Sequence, residues 1–558
     1  MASKPKLWQN SKAYDYRHLS QLKLTITFDT TGTLQMNLST IDIAIFVVYV
    51  LGLLALALYI SRAEKNHERN TKDYFLASKS LPWWAIGASL IASNISAEQI
   101  IGMSGSGYVL GLAIASYEWM AAITLIIVAK FFLPIFLKNE IYTMPQYLEQ
   151  RFDSRVKTIM AVFWLAVYVF VNLTAVLWLG GLAITTITGI DLAYGMIFLG
   201  VFSIAYSSYG GLKAVAYTDI IQVVLLVFGG FMLTYISLDL VSEGQGVFAG
   251  FSILTETMPE KFDMIFSSDS PHYANLPGIS VLVGGMWIMN ISYWGFNQYI
   301  IQRALAAKNL AEAQKGLAFA AFLKLLVPFF VVVPGIAAAV LFTDLDRPDE
   351  AYPSLMNLMP VGLKGLVFAA LVAAIVSSLA SMCNSVSTIF TMDLYSKFKQ
   401  NESQTHYVKV GRIVSIVSLV IAMICAKPLL GSFDQAFQYI QEFTGFFTPG
   451  IVVIFILGMF WKTMNSNGAI LAAVGSAALS FALKFWLPEV PFMDRVGIVF
   501  LACVALAVVA SYATRASHID GHKGVVSLDT VDFRTKPSFN ALSVAMVLIL
   551  AALYATWW

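Results

Sequence analysis

Long apolar runs alternate along the chain with short stretches of charged residues, glycine and proline. A helix needs about 20 mainly apolar residues to cross a hydrocarbon core about 30 Å thick. Runs of that length predict spans over 40–61, 82–108, 112–138, 157–187, 191–209 and 219–240. After a long polar loop come 277–300, 314–342, 362–395, 406–426 and 434–461, then 466–487, 494–514 and 539–558. The period-2 alternation of a membrane β-barrel is absent. The pattern predicts an all-α polytopic membrane protein of about 14 transmembrane helices, with one transmembrane domain over 36–558. Residues 1–35 are polar, carry five Lys or Arg and lack the apolar core of a signal peptide. Met36 immediately precedes the switch to apolar sequence, so translation is expected to start there, with 1–35 a disordered or misassigned extension.

Composition agrees: of 558 residues 58% are hydrophobic and 12% charged, more apolar surface than a soluble domain can bury. A net charge of +2 gives no footing for nucleic acid. Cys383, Cys425 and Cys503 lie in apolar runs without metal-ligand spacing and read as small hydrophobes. His18, His67, His272, His518 and His522 fall outside the runs and His406 at the very edge of one, which excludes a proton relay through a histidine at membrane depth. Lys and Arg collect after odd-numbered spans: Arg62, Lys65, Arg69, Lys72 and Lys79 after the first, Lys138, Arg151, Arg155 and Lys157 after the third, and Arg303, Lys308 and Lys315 after the seventh. The positive-inside rule makes those loops cytoplasmic and puts both termini outside.

Charged and amide side chains inside a span are costly and need a reason. The second span carries Asn94, Glu98 and Gln99 among Ser and Gly, and the seventh carries Gly284, Gly285, Asn290, Asn297 and Gln298. Both read as interrupted helices, and their separation by five spans points to inverted five-helix repeats over 82–240 and 277–461. Small-residue packing seams are the plainer explanation, but Glu98, Gln99 and Asn290 exceed what packing requires. Glu118, Lys324, Gln441 and Glu442 add further polar groups at membrane depth. A sugar, whose hydroxyls both donate and accept, wants such a mixed set, together with aromatic faces of the kind Tyr117, Tyr293, Trp294 and Phe437 offer. A hard monovalent cation wants several neutral oxygens. Ser377 and Ser378 supply hydroxyls that freed carbonyls of Ala92 and Ile95 would complete. Asp219, at the start of the sixth predicted helix, reads either as an N-cap or as an acid that draws a cation inward.

These motifs resemble the sodium/solute symporter family, on its sugar-carrying branch. The resemblance runs from about residue 40 to the final helices through Asp73-Tyr74-Phe75-Leu76-Ala77, Ser89 to Tyr108, Tyr117-Glu118-Trp119 and Tyr209-Gly210-Gly211-Leu212. It continues through Trp294 to Tyr299, Ala374 to Ser381 and Phe437 to Glu442. It implies the leucine-transporter type of inverted repeat, with one helix before the core and three after. It also implies sugar contacts at Gln99, Glu118, Asn290, Lys324 and Gln441, an inner closure at Tyr293, and Met103, Tyr117, Trp294 and Phe437 packed around the sugar. Sodium, the implied coupled ion, would meet the Ala92, Ile95 and Ala374 carbonyls and the Ser377 and Ser378 hydroxyls, with Asp219 on its exit route. Where the family's bacterial galactose carrier has a serine three residues after the Glu118 position, this chain has Ala121, so galactose-over-glucose preference is in question.

The expected activity is sodium-coupled symport of galactose or glucose across a bacterial inner membrane. The expected partners are sodium, a sugar and the lipid bilayer, for a monomer or a homodimer. A symporter of the same fold for inositol, sialic acid or proline is the nearest rival. A solute-gated channel or sensor is a further one, disfavoured because no signalling domain follows the last predicted helix. No nucleophile–base pair or metal cluster is readable, so enzymatic activity is not expected.

Overall fold

The computed structural model describes residues 38–62, 81–139, 141, 144–343, 345–431, 433, 435–514, 525–526 and 528–558. The 1–35 extension, Met36, the basic loop and motif within 63–80, and residues 515–524 lie outside that set.

Apart from a bridge between Leu81 and Ala307, the described elements are helical. They are α1 (Thr40–Arg62), α2 (Trp83–Asn94), α3 (Glu98–Lys138), α4 (Ser154–Thr188) and α5 (Leu192–Val241). Next come α6 (Gly285–Ile291), α7 (Gln298–Leu305), α8 (Leu310–Leu341), α9 (Leu363–Phe398) and α10 (Gln404–Leu430). The chain continues through α11 (Ala436–Gly445), α12 (Thr448–Phe460), α13 (Ser466–Trp486), α14 (Phe492–Ala513) and α15 (Pro537–Thr556). Among the described residues nine helices are long and apolar enough to cross a membrane, or ten if α11 and α12, bent by 44° at their junction, form one span. Helices also form in segments read as loops: Met144–Arg151, Val247–Thr257 and Ala351–Asn357.

Two predicted boundaries take a different form. The spans expected at 191–209 and 219–240 are wound as one helical segment, α5. Straight, α5 would reach about 75 Å. The Tyr206 hydroxyl, however, bonds the Thr218 hydroxyl. Twelve residues of straight helix separate Cα atoms by about 18 Å, more than those two side chains can bridge, so α5 folds back between them. The α3 segment reverses at Gly111, where φ is +75° and a Cβ would overlap the Lys261 carbonyl. Lys261 Nζ donates to Tyr108 O at 3.0 Å and Val109 O at 2.5 Å, which satisfies the carbonyls that the reversal frees.

Burial separates centre from rim. The apolar stretch of α9 is 89% buried and that of α8 72%, against 28% for α10 and 17% for α15. The central helices are the ones next to both interruptions. The first comes where α2 stops: Ile95 has ψ 85°, and the chain resumes at Glu98 with a wider π-type turn. The second follows α6, where a π-type turn over Ser292–Phe296 ends at extended Asn297 before α7 begins. π-type turns mark functional sites often enough to direct attention there.

Candidate functional site

Backbone interrupted at membrane depth is tolerated where it lines a cavity, and here the two interruptions share one. Its walls take Asn94, Glu98 and Gln99 from the first break and Asn290, Tyr293 and Trp294 from the second. Tyr117, Glu118 and Ala121 come from α3, and Phe437 and Gln441 from α11. The space between these atoms, mouth included, is ≈ 640 Å³. Tyr117 meets Phe437 edge to face with ring centroids 5.1 Å apart, and Tyr293 meets Trp294 in the same way at 5.1 Å. Asn290 Nδ2 donates to Met286 O at 3.1 Å, which keeps the amide oxygen as the group it can offer.

Lys324 is fully buried in the middle of α8, ion-paired with Glu118, bonded to Asn94 Oδ1, and 5.2 Å from the Trp294 ring centroid. An ammonium at this depth needs that pairing, and removing one partner would strand the other charge. Gln99 Oε1, Tyr117 OH and Thr444 Oγ1 are buried at the cavity wall and have no hydrogen-bond partner among the described residues. Each such group costs about 1–3 kcal/mol unless something bonds it.

Of the side chains expected around a sugar, Gln99, Tyr117, Glu118, Asn290, Tyr293, Trp294, Phe437 and Gln441 line this cavity. Lys324 is held behind Glu118, and Met103, fully buried, is not on the wall. Asn94 and Glu98 are wall residues that the sequence reading did not count as contacts, although both sit at the helix break. Glu442 turns away from its neighbour Gln441 and pairs with Arg495 at 2.8 Å and Lys484 at 3.1 Å.

A second polar cluster joins α2, α5, α7 and α9. Asp219 is fully buried; its carboxylate accepts from Ser89 Oγ at 2.8 Å and Ser377 Oγ at 2.6 Å. The N-cap alternative for Asp219 is corrected: the residue lies inside α5 and bonds across helices. Arg303, read from sequence only as a cytoplasmic loop charge, is buried on α7. It donates to Ser89 Oγ at 3.0 Å, Ser381 Oγ at 3.1 Å and the Tyr299 carbonyl.

The residues expected around sodium, Ala92, Ile95, Ala374, Ser377 and Ser378, are all buried on α2, its end, or α9, which pack together. Ser96 N–H, which an unbroken helix would aim at Ala92 O, bonds Asn94 O instead at 2.9 Å. Ser378 Oγ is buried with no partner among the described residues. An oxygen set of this kind fits a hard monovalent cation.

Hydrogen bonds connect cavity and cluster, with Tyr299 itself as the covalent link between its hydroxyl and its carbonyl. Lys324 joins Glu118 to Asn94, and Asn94 Nδ2 donates to Tyr293 OH at 3.0 Å. Tyr293 OH bonds Tyr299 OH at 2.6 Å, the Tyr299 carbonyl receives Arg303, and Arg303 reaches Asp219 through Ser89.

A buried polar cavity between two interrupted helices, beside a cluster of oxygens, is the arrangement of a secondary transporter. Residues 74–475 match the sodium:solute symporter family, and the chain belongs to that family. The sodium/glucose cotransporter of Vibrio parahaemolyticus is 52% identical over 545 residues, spanning 94% of this chain and 100% of the relative. Sodium/myo-inositol cotransporter 2 of Mus musculus is 35% identical over 465 residues, 78% of this chain and 68% of the relative. The substrate-bound outward-open structure of a Na+-coupled sialic acid symporter shares the fold, with a TM-score of 0.73 at 24% identity over 85% of this chain and 98% of that one.

Proposed function

We propose that this protein couples entry of a hexose, galactose or glucose, to sodium entry by alternating access in a bacterial inner membrane. The observation that carries the reading is the cavity wall: amides, carboxylates and two edge-packed aromatic pairs, with three buried polar atoms awaiting partners. Gln99, Asn290 and Gln441 would exchange hydrogen bonds with sugar hydroxyls, and Glu118, held by Lys324, would accept from two of them. Tyr117, Trp294 and Phe437 would cover the sugar's apolar faces, with Met103 filling space behind. Tyr293, anchored by Asn94 and Tyr299, would bar the inner path until its hydroxyl lets go.

Sodium is carried as a second substrate, one per sugar. It would be met by the Ala92, Ile95 and Ala374 carbonyls and the Ser377 and Ser378 hydroxyls, and drawn inward past Asp219. One charge falling through 100 mV releases about 2.3 kcal/mol, enough to concentrate a neutral solute roughly fiftyfold. The finer architecture belongs to the same reading: fourteen spans, inverted repeats over 82–240 and 277–461, one helix before and three after, both termini outside.

A neutral polyol such as myo-inositol is the second reading. Among the described residues the wall holds no arginine to receive a carboxylate, which suits either neutral solute, and Ala121, which offers no hydroxyl, favours this reading over galactose. Uptake into proteoliposomes of galactose, glucose, myo-inositol, proline and sialic acid, driven by sodium, potassium or proton gradients, separates the two. Sodium-driven galactose or glucose uptake is the expected result. Gln99→Ala and Gln441→Ala should each weaken it by about 1–3 kcal/mol in apparent affinity. Uptake that survived both substitutions intact would place the sugar elsewhere.

A further inference from the structure

The first turn of α14 touches both helices that present sugar-facing amides, although it lies outside the proposed repeats. Arg495, 8% exposed, donates to Glu442 Oε1 at 2.8 Å, and Glu442 is the residue after Gln441 on α11. Lys484, at the end of α13, pairs with the other Glu442 oxygen at 3.1 Å and lies 4.6 Å from the Phe443 ring centroid. Asp494, next to Arg495, accepts from Ser280 Oγ at 2.5 Å, just before α6. Met493 presses on α6 itself: a Cβ on Gly285 would overlap the Met493 carbonyl. Val496 completes the turn, its Cγ2 3.1 Å from where a Gly445 Cβ would stand on α11.

Four consecutive residues of α14 therefore bracket α6, which bears Asn290, and α11, which bears Gln441. Successive residues on a helix point about 100° apart. Gln441 and Glu442 thus face different partners, and fixing Glu442 fixes the rotation of α11 that aims Gln441 into the cavity. The pairing is partly buried and bridges two cations to one carboxylate, so it holds α11 more firmly than an exposed ion pair would.

We infer that Arg495 is a positioning residue for the sugar: through Glu442 it sets where Gln441 lies, and with Asp494 and Met493 it fixes the spacing between α11 and α6. This rests on the hexose reading above. It selects for sugar and not for sodium, because the sodium-side residues on α2 and α9 make none of these contacts with α14.

The test is proteoliposome uptake by Arg495→Ala, Arg495→Lys and Glu442→Gln, with melting in detergent followed in parallel. Arg495→Ala should raise the sugar KM roughly tenfold, with the maximal rate and the sodium half-saturation at saturating sugar within about twofold of wild type. Glu442→Gln, which keeps shape and loses charge, should shift the sugar KM in the same direction, and Arg495→Lys should recover most of the loss. A wild-type sugar KM in both Arg495→Ala and Glu442→Gln overturns the inference. So does an equal shift in sugar and sodium dependence, or a lower melting temperature and maximal rate with the sugar KM unchanged. A wild-type protein that moved neither galactose nor glucose with sodium would instead overturn the hexose reading.

Discussion

The solute cavity and the Asp219 cluster bury a carboxylate equally deeply, yet they neutralise it differently. Glu118 takes an ammonium directly, from Lys324. Asp219 is reached by Arg303 only through the Ser89 hydroxyl, and a second hydroxyl, Ser377, fills its other oxygen. A directly paired charge is fixed, since losing its partner strands it in a poor dielectric. A charge bridged through hydroxyls keeps oxygens that can turn toward another cation. The cavity adds the reverse asymmetry: its wall has polar atoms without partners among the described residues, while Asp219 has each oxygen satisfied. On the function proposed above, one region would receive a guest with many hydroxyls and the other would stay closed on itself until a cation competes.

Breaking the direct pair should have the largest effect. Lys324→Ala leaves Glu118 buried and uncompensated, which should cost about 3–5 kcal/mol of stability and abolish uptake. Thermal melting and uptake together check this. The double change Glu118→Gln with Lys324→Met should restore most of the melting temperature but not the transport. If the single variant melted and transported normally, the contrast between the two carboxylates would fail. Asp219→Asn should be milder, because the amide oxygen can still accept from one of the two serines while the amide nitrogen donates to the other hydroxyl. We expect the sodium half-saturation to rise by about tenfold or less, near 1 kcal/mol, with the sugar KM unchanged. A change in sugar KM as large as that in sodium would mean the cluster does not act on the cation alone. The smallest expected effect is a gain. Ala121→Ser puts a hydroxyl on the cavity wall and should tighten galactose by about 0.5–1.5 kcal/mol, read as the ratio of galactose to glucose KM. An unchanged ratio would mean that position 121 does not face the sugar hydroxyls.

The all-helical, apolar character of the chain and both interruptions were legible in the sequence, because the cost of polar residues in lipid makes them conspicuous. Asn94, Glu98 and Asn290 stand out against apolar neighbours, and the chain does break around them. What stayed hidden depends on contacts between residues far apart in sequence. Lys324 could be flagged as unusual, but its seat behind Glu118 follows from how α8 lies on α3. Glu442 and Gln441 look alike in sequence, and only the position of α14 shows that one faces away from the cavity. Arg303 falls in a basic loop by its neighbours, so its burial against Ser89 left no local trace. The reversal in α5 was read as a break between spans 191–209 and 219–240, but not as a bend that keeps its helical winding. The short helix Val247–Thr257 was lost in a segment that reads as polar loop.

The hydrogen-bond chain from Glu118 through Tyr293 and Arg303 to Ser377 has a consequence for direction. Contacts of this kind can only store an equilibrium coupling, and such a coupling is reciprocal: whatever factor sodium imposes on sugar affinity, sugar imposes on sodium affinity. Nothing in the chain rectifies. A carrier that works through it obeys the sum of its two gradients, so a cell loaded with sugar in low external sodium would see the same protein export both.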